Sequence, residues 1–395
     1  MEQLVEEIRR LAAEFALDYA RHDQKFEFPG AEIQKLKSIG ALKAPVPKKF
    51  GGLGMAPTEL IRCIKILAEG NPSVAQIFFV HCLDLVIATE FATAEQLEWL
   101  MRAVVDNNCF VGQATAERHS KTHYAFETVF TPVNGGVKVR GRKFFTTGSG
   151  AADVFLIFGA QYDGGIGAAI AQRGDKGLEL IDDWKAMGQR GTTSGTVVLN
   201  DLFIPSERVF PKFQFADQGP QSLMGPYLQL GFTAIYTGIA GGALRAGIEY
   251  VRTKTRAYPE SGVSSASDDR YIQREVGMMR AQLSAADSLL DRAARRLEEA
   301  FAMRGKAGDT EMKRCRAEAS VAVAEAKIIA TEAALRIGQD IFQLCGARSA
   351  LYEEDMDRFW RDARTLTVHD PKDYRAMLIG QYVLLDKFPA AGFRS

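Results

Sequence analysis

Val137-Lys138-Val139, Val154-Phe155-Leu156-Ile157 and Val197-Val198-Leu199 are short β-branched runs, parted by the turn formers Asn134-Gly135-Gly136 and Asp163-Gly164-Gly165. Branched and aromatic side chains suit a pleated, half-buried surface, and glycine pairs suit tight turns. The pattern predicts a β unit from Cys109 to about Phe215. On either side the period is helical. From Val5 to about Val105 apolar residues recur three and four apart, as in Leu60, Ile61, Ile64, Leu67 and Ala68, with breaks at Pro29-Gly30 and Gly51-Gly52. After Pro226 long helical periods return, over Arg280 to Phe301 and Lys313 to Phe342, with lengths that fit an antiparallel bundle. The expectation is an α+β chain, mainly α: a helical N-terminal domain over 1–108, a middle β domain over 109–217 and a C-terminal four-helix bundle over 218–395. A chain of 395 residues is long enough for two or three packed units.

Composition excludes several classes of function. Lys plus Arg and Asp plus Glu both number 49, so no overall field draws the chain to nucleic acid or to an anionic membrane. Hydrophobic residues at 47% and charged residues at 25% belong to a globular protein rather than a disordered one. Cys63, Cys82, Cys109, Cys315 and Cys345 are scattered and odd in number, and read as thiols in a reducing compartment. Met1-Glu2-Gln3-Leu4-Val5-Glu6-Glu7 is acidic where a secretory signal needs a basic start and an apolar block. The cytoplasm is the expected location. Gln218 to Leu244 carries no charge, yet its prolines, glutamines and glycines favour a buried bundle helix over a membrane span.

Asn71-Pro72-Ser73 predicts a helix start, followed by an apolar face through Val74, Ile77, Phe78 and His81, so that His81 points inward. Gly238 and Gly242 stand four apart and predict close approach of a neighbouring helix rather than chemistry. His119 and His123 have metal-ligand spacing but no evident third ligand, and no metal site is expected. Gly165-Ile166-Gly167 lies between strands rather than opening a helix, so it is not a dinucleotide fingerprint and no nicotinamide site is visible.

Four segments resemble the acyl-CoA dehydrogenase superfamily across nearly the whole chain. Gly141-Arg142-Lys143-Phe144-Phe145-Thr146-Thr147-Gly148, with Ala152-Asp153-Val154, is similar to the family's segment beside the flavin ring. Lys185-Ala186-Met187-Gly188-Gln189-Arg190-Gly191-Thr192-Thr193-Ser194, running to Asp201-Leu202-Phe203-Ile204-Pro205, is similar to its exit from the β domain. Arg256 stands where the family places an arginine near a neighbouring subunit's flavin phosphates, and Arg361-Asp362-Ala363-Arg364 resembles the lead-in to its catalytic loop. The resemblance implies the family fold, with a β-barrel-like middle domain, and a homotetramer of two dimers.

Where the dehydrogenases usually read Tyr-Glu-Gly, this chain reads His369-Asp370-Pro371, which shortens the base by a methylene. The family's second base position, at the start of the first bundle helix, has no carboxylate between Asp217 and Glu249. Asp357-Arg358-Phe359-Trp360-Arg361-Asp362, Val368-His369-Asp370-Pro371 and the ending Gly392-Phe393-Arg394-Ser395 resemble instead the dibenzothiophene monooxygenase branch, as do His81, Trp184 after Asp182-Asp183, and Thr147. That branch commonly has Asn and Ser where this chain has Gln113 and Thr147, so the resemblance does not carry the substrate over.

The resemblance implies a two-component flavin monooxygenase: reduced, diffusible FMN, with FAD as the alternative, delivered by a separate NAD(P)H-dependent flavin reductase. Such an enzyme must keep water from a flavin hydroperoxide and control its proton. Thr147 would accept from the flavin N5 hydrogen, and His81 and His369 would hold or donate the peroxide proton. The alternative for each histidine is a core residue satisfied by a backbone carbonyl. Gln113, Phe145, Thr146, Trp184, Arg190, Ser194, Arg256 and His369 are the other cofactor-binding candidates. Phe78, Phe79, Trp184 and Phe359 are candidates for an apolar pocket for a small substrate, organosulfur or aromatic. Two other readings stand beside this one: an acyl-CoA dehydrogenase with FAD, Asp370 as base and an electron-carrier partner, and a flavin- or ligand-binding protein without turnover.

Overall fold

The protein, seen in a computed structural model that describes residues 1–122, 125–211 and 218–392, opens with five helices. These are α1 (Glu2–Lys25), α2 (Gly30–Ser38), α3 (Pro57–Gly70), α4 (Pro72–Phe91) and α5 (Ala94–Asn107). Asn71 starts α4 as its sequence predicts: Oδ1 accepts from the N–H groups of Ser73 at 3.1 Å and Val74 at 3.3 Å, while Pro72 fills a first-turn position that needs no donor. Nearly every residue of α4 from Pro72 to Ala88 is buried. By length and composition α4 could cross a membrane, but it lies mostly inside the fold.

The middle strands are β1 (Val111–Ala114), β2 (Val129–Val133), β3 (Gly136–Lys143), β4 (Val154–Gln161), β5 (Ile166–Gln172), β6 (Leu178–Ile181) and β7 (Thr196–Pro205). One edge of β4 pairs antiparallel with β5. Its other edge takes β1 in parallel and then the first residues of β2, from which the path runs antiparallel through β3 and β7 to β6. The sheet curls, because Ala169 of β5 bridges to Val209 just beyond β7 and the Phe210 N–H donates to the Ala168 carbonyl at 2.8 Å. Gly135 and Gly164 carry φ of 78° and 89°, values that L side chains rarely adopt, and they make the hairpin turns.

The last third is helical: α6 (Met224–Thr253), α7 (Arg270–Met303), α8 (Asp309–Cys345), α9 (Arg358–Thr367) and α10 (Lys372–Leu385). The charge-free stretch becomes the buried part of α6. A Cβ on Gly238 would come within 2.5 Å of the Lys65 carbonyl, and one on Gly242 within 2.6 Å of the Glu69 carbonyl, so α6 lies backbone against backbone on α3. His123, Asp217 and the terminal Phe393-Arg394-Ser395 lie outside the described residues; His119 sits in an exposed bend.

Candidate active site

The polar side chains Gln76, His81 and Asp84 interrupt the apolar α4, and all three turn to the middle domain. Gln76 Nε2 donates to Thr147 Oγ1 at 3.4 Å. His81 Nδ1 accepts from the Val111 N–H at 3.0 Å. Asp84 Oδ1 accepts from Gln113 Nε2 at 2.9 Å. Phe79, one position round the same face from Gln76, reaches the other way. Its ring lies 5.5 Å from Phe232 of α6, and Phe232 lies 4.6 Å from the His369 ring. One turn of α4 therefore links Thr147 on the middle domain to His369 on the bundle, and we take the space between those two domains, the crevice, as the candidate site.

On the middle-domain side the walls are aromatic and hydroxylic. Trp184 is held by a bond from Nε1 to the Gln189 carbonyl at 2.9 Å. Its ring meets Phe145 edge-on at 5.8 Å. Phe145 is 56% exposed and has φ 58°, a costly conformation for an aromatic residue that leaves its ring at the surface rather than in the core. Thr147 Oγ1 lies 2.9 Å from Ser194 Oγ. Gln189 and Thr193, which bracket the turn Arg190–Thr192, are also left-handed, with φ of 53° and 46°.

The turn is fastened from behind. Asp362 of α9, fully buried, accepts from the Gln189 N–H and from the Tyr19 hydroxyl of α1. Burial, then the neighbouring Asp23, push its carboxyl up. Arg361 pairs with Asp23, Asp355 and Asp357, each at 2.7 Å, so α1, α9 and the 186–194 segment meet at one ionic node.

Several expected site residues are placed elsewhere. His81 is fully buried, and its second nitrogen, Nε2, lies 3.0 Å from the Leu42 carbonyl and must donate to it. With Nδ1 accepting and Nε2 donating, the ring is neutral, burial holds its pKa at about 4, and no nitrogen is left for a peroxide proton. Arg190 turns away from the crevice, over the Phe26 ring at 4.5 Å and to Asp23 at 3.2 Å. Thr146 spends its hydroxyl on the Gly195 carbonyl at 2.8 Å. Phe359 packs against Tyr19 at 5.8 Å, in the seam between α9 and α1. Phe78 is buried in the core. Arg256 is exposed beyond the end of α6, roughly 30 Å along that helix from Phe232. It is out of reach of its own chain's crevice. Phe79 is as fully buried as Phe78. Thr147, Ser194, Gln113, Phe145, Trp184 and His369 remain as the candidates of this site.

Asp370, the shortened base, is buried beside Lys327 at 3.2 Å and Arg375 at 3.4 Å. Lys327 also donates to Gln229 on α6. The Asp370 carboxylate is committed to buried ion pairs, and a role in proton abstraction would require breaking them. Sequence reasoning gave no role to Gln189, Thr192 or Asp362, which stand inside quoted motifs, and passed over Gln76 and Asp84. Gln76 and Asp84 were detectable as polar interruptions of an otherwise apolar helix, with Asp84 three residues from His81 on its face.

Among the described residues, Gln76 Oε1, Asp84 Oδ2 and both side-chain polar atoms of Gln189 are buried without a hydrogen bond. Each such orphan costs about 1–3 kcal/mol. A flat cofactor with a polar edge, laid against Phe145 and Trp184, would offer a partner to Gln76 Oε1 beside Thr147, so the residues present fit a flavin.

Family models for the N-terminal domain and the C-terminal domain of acyl-CoA dehydrogenase match residues 1–107 and 230–373. A dibenzothiophene monooxygenase of Mycolicibacterium goodii is 33% identical, with 99% of this chain and 96% of that protein covered. The chain belongs to the acyl-CoA dehydrogenase superfamily, in its dibenzothiophene monooxygenase branch. The dibenzothiophene monooxygenase of Paenibacillus sp. A11-2, solved with FMN and indole, superposes with a TM-score of 0.93 at 29% identity over 100% of both chains. The methanesulfinate monooxygenase of Pseudomonas fluorescens superposes at 0.91 and 29%, over 99% of both. The helical ends and curled middle sheet are those of this superfamily.

Proposed function

We propose that this protein is a flavin-dependent monooxygenase that takes reduced FMN and dioxygen and oxygenates a small apolar organosulfur or aromatic compound. Similarity to the FMN monooxygenases supports the reaction class and the cofactor. Within this chain, the pairing of Asp370 with Lys327 and Arg375 carries the reading, because it removes the base a thioester dehydrogenase would need.

Bound reduced FMN supplies the two electrons that activate dioxygen. Phe145 and Trp184 flank its ring, Thr147 and Gln113 meet its polar edge, and Ser194 holds Thr147. His369, stacked on Phe232, manages the proton at the substrate side, and the apolar substrate lies near Phe232, which Phe79 backs from the core. Arg256 serves a neighbouring subunit's cofactor in a homotetramer. The reductant arrives from a separate NAD(P)H-dependent reductase in the cytoplasm.

The test mixes the protein with anaerobically reduced FMN, or FAD in a parallel arm, then oxygenated buffer containing dibenzothiophene, indole or methanesulfinate. Product formed in stoichiometry with flavin oxidised, more with FMN than with FAD, is the expected result. Quantitative hydrogen peroxide with every substrate, together with bleaching of bound FAD by an acyl-CoA, would overturn the reading in favour of a dehydrogenase.

A further inference from the structure

The hydroxyls of Thr147, Ser194 and Thr192 stand in file. Thr147 Oγ1 lies 2.9 Å from Ser194 Oγ, which lies 2.7 Å from Thr192 Oγ1, which lies 2.8 Å from the Gln189 carbonyl. All three side chains are at most 8% exposed. Oxygens at these separations share a proton, and each hydroxyl owns only one. The Gln189 carbonyl owns none, so Thr192 must donate there. Ser194 must then supply the proton of the second contact, and Thr147 that of the third. The file has a single polarity, and it leaves Thr147 Oγ1 nothing but acceptor capacity. Gln76 Nε2, donating to the same oxygen at 3.4 Å, agrees with that sense.

The end of the file is fixed as firmly as its direction. The Gln189 carbonyl also receives the Trp184 Nε1–H at 2.9 Å and the Thr192 backbone N–H at 3.2 Å. The Gln189 N–H is anchored on Asp362. The carbonyl therefore cannot turn away and free the Thr192 proton.

We propose that Thr192 is a positioning residue that makes Thr147 an obligate acceptor, and that this polarity selects reduced over oxidised flavin. The inference rests on the reading that Thr147 meets flavin N5. Reduced flavin carries a hydrogen on N5, which an acceptor welcomes; oxidised flavin carries a lone pair there, which an acceptor opposes. A protein supplied with reduced flavin by a diffusing donor gains from this, because spent flavin is released once its N5 hydrogen is gone.

Thr192→Val keeps the shape and removes the hydroxyl. Ser194 is then free to donate to Thr147, and Thr147 to donate to N5. The experiment titrates the full-length protein with oxidised FMN, followed by flavin fluorescence, and anaerobically with dithionite-reduced FMN. Thr192→Val should tighten oxidised FMN about tenfold relative to reduced FMN, equivalent to about 1.4 kcal/mol of lost discrimination, and Thr192→Ser should restore the original ratio. Ser194→Ala cuts the file one link later and must move the ratio in the same direction, which keeps the test valid if Thr192→Val does not fold. Equal changes in both affinities, or failure of Thr192→Ser to restore the ratio, would reduce Thr192 to a loop-packing residue and overturn the proposal. Failure of the unmodified protein to bind either form of FMN would overturn the site reading itself, and the proposal with it.

Discussion

Two histidines stand on opposite domains, each with its ring against a phenylalanine, Phe110 for His81 at 5.0 Å and Phe232 for His369 at 4.6 Å, yet they differ in burial. His81 sits on a core helix, fully buried, with one nitrogen accepting from the Val111 N–H and the other donating to the Leu42 carbonyl. His369 sits in the turn between α9 and α10, exposed, its ring laid over Phe232 at 4.6 Å. A ring tied at both nitrogens to backbone is a structural brace that sets how α4 meets β1 and the segment around Leu42. His369 stands at the surface on a turn, where a ligand in the space between the domains would meet it. Burial sets a histidine's protonation, and its partners set whether a proton can move at all.

The sharpest way to break this contrast is to remove His369. His369→Ala should leave melting temperature and FMN affinity nearly unchanged while product per dioxygen consumed falls tenfold or more, with hydrogen peroxide making up the difference. Parallel assays of product and peroxide check it. Unaltered coupling would take His369 out of the chemistry.

His81→Ala should do the opposite. It leaves a cavity in the core and strands two backbone groups, a loss of about 3–5 kcal/mol readable as a lowered urea midpoint. Product per dioxygen in the fraction that stays folded should remain within about twofold of the original. Strong uncoupling at unchanged stability would reverse the roles assigned to the two histidines.

Legibility followed the range of the forces involved. The β unit was readable because branched residues and turn glycines act locally, and the α6 glycines were readable because close helix approach demands the missing side chain. The two histidines were not separable, since what distinguishes them lies far along the chain: the Leu42 carbonyl claims a nitrogen of the buried His81, and the exposed His369 lies on Phe232. Arg190 and Phe359 looked like site residues by their place in a motif, but Asp23 and Tyr19 on α1 claim them. Thr192 stood inside a quoted motif with no role, because its role comes from the fixed carbonyl of Gln189, a backbone conformation that no residue name encodes.

The smallest expected effect is in the pH dependence of stability. Burial holds the His81 pKa at about 4 in the folded protein, against the ordinary value near 6.5. Between those values the unfolded chain binds the proton and the folded one does not. The His81 contribution to stability is therefore complete above about pH 6.5 and is lost as pH falls toward 4, at up to about 1.4 kcal/mol per unit. The raw profile will not show this cleanly. Asp355, pushed up to about 7 by burial and then by Asp23, has the opposite sign over nearly the same window: the folded state binds more protons there, and the stability it confers at low pH is lost as pH rises. The informative quantity is the difference between the original protein and His81→Gln, from urea midpoints at several values between about pH 4.5 and 7.5. That gap should narrow steadily on acidification, because only the original protein loses the histidine's contribution. A gap that stays constant would mean that the folded His81 already carries charge or meets water, which its two backbone partners do not permit, and the contrast with His369 would fail at its root.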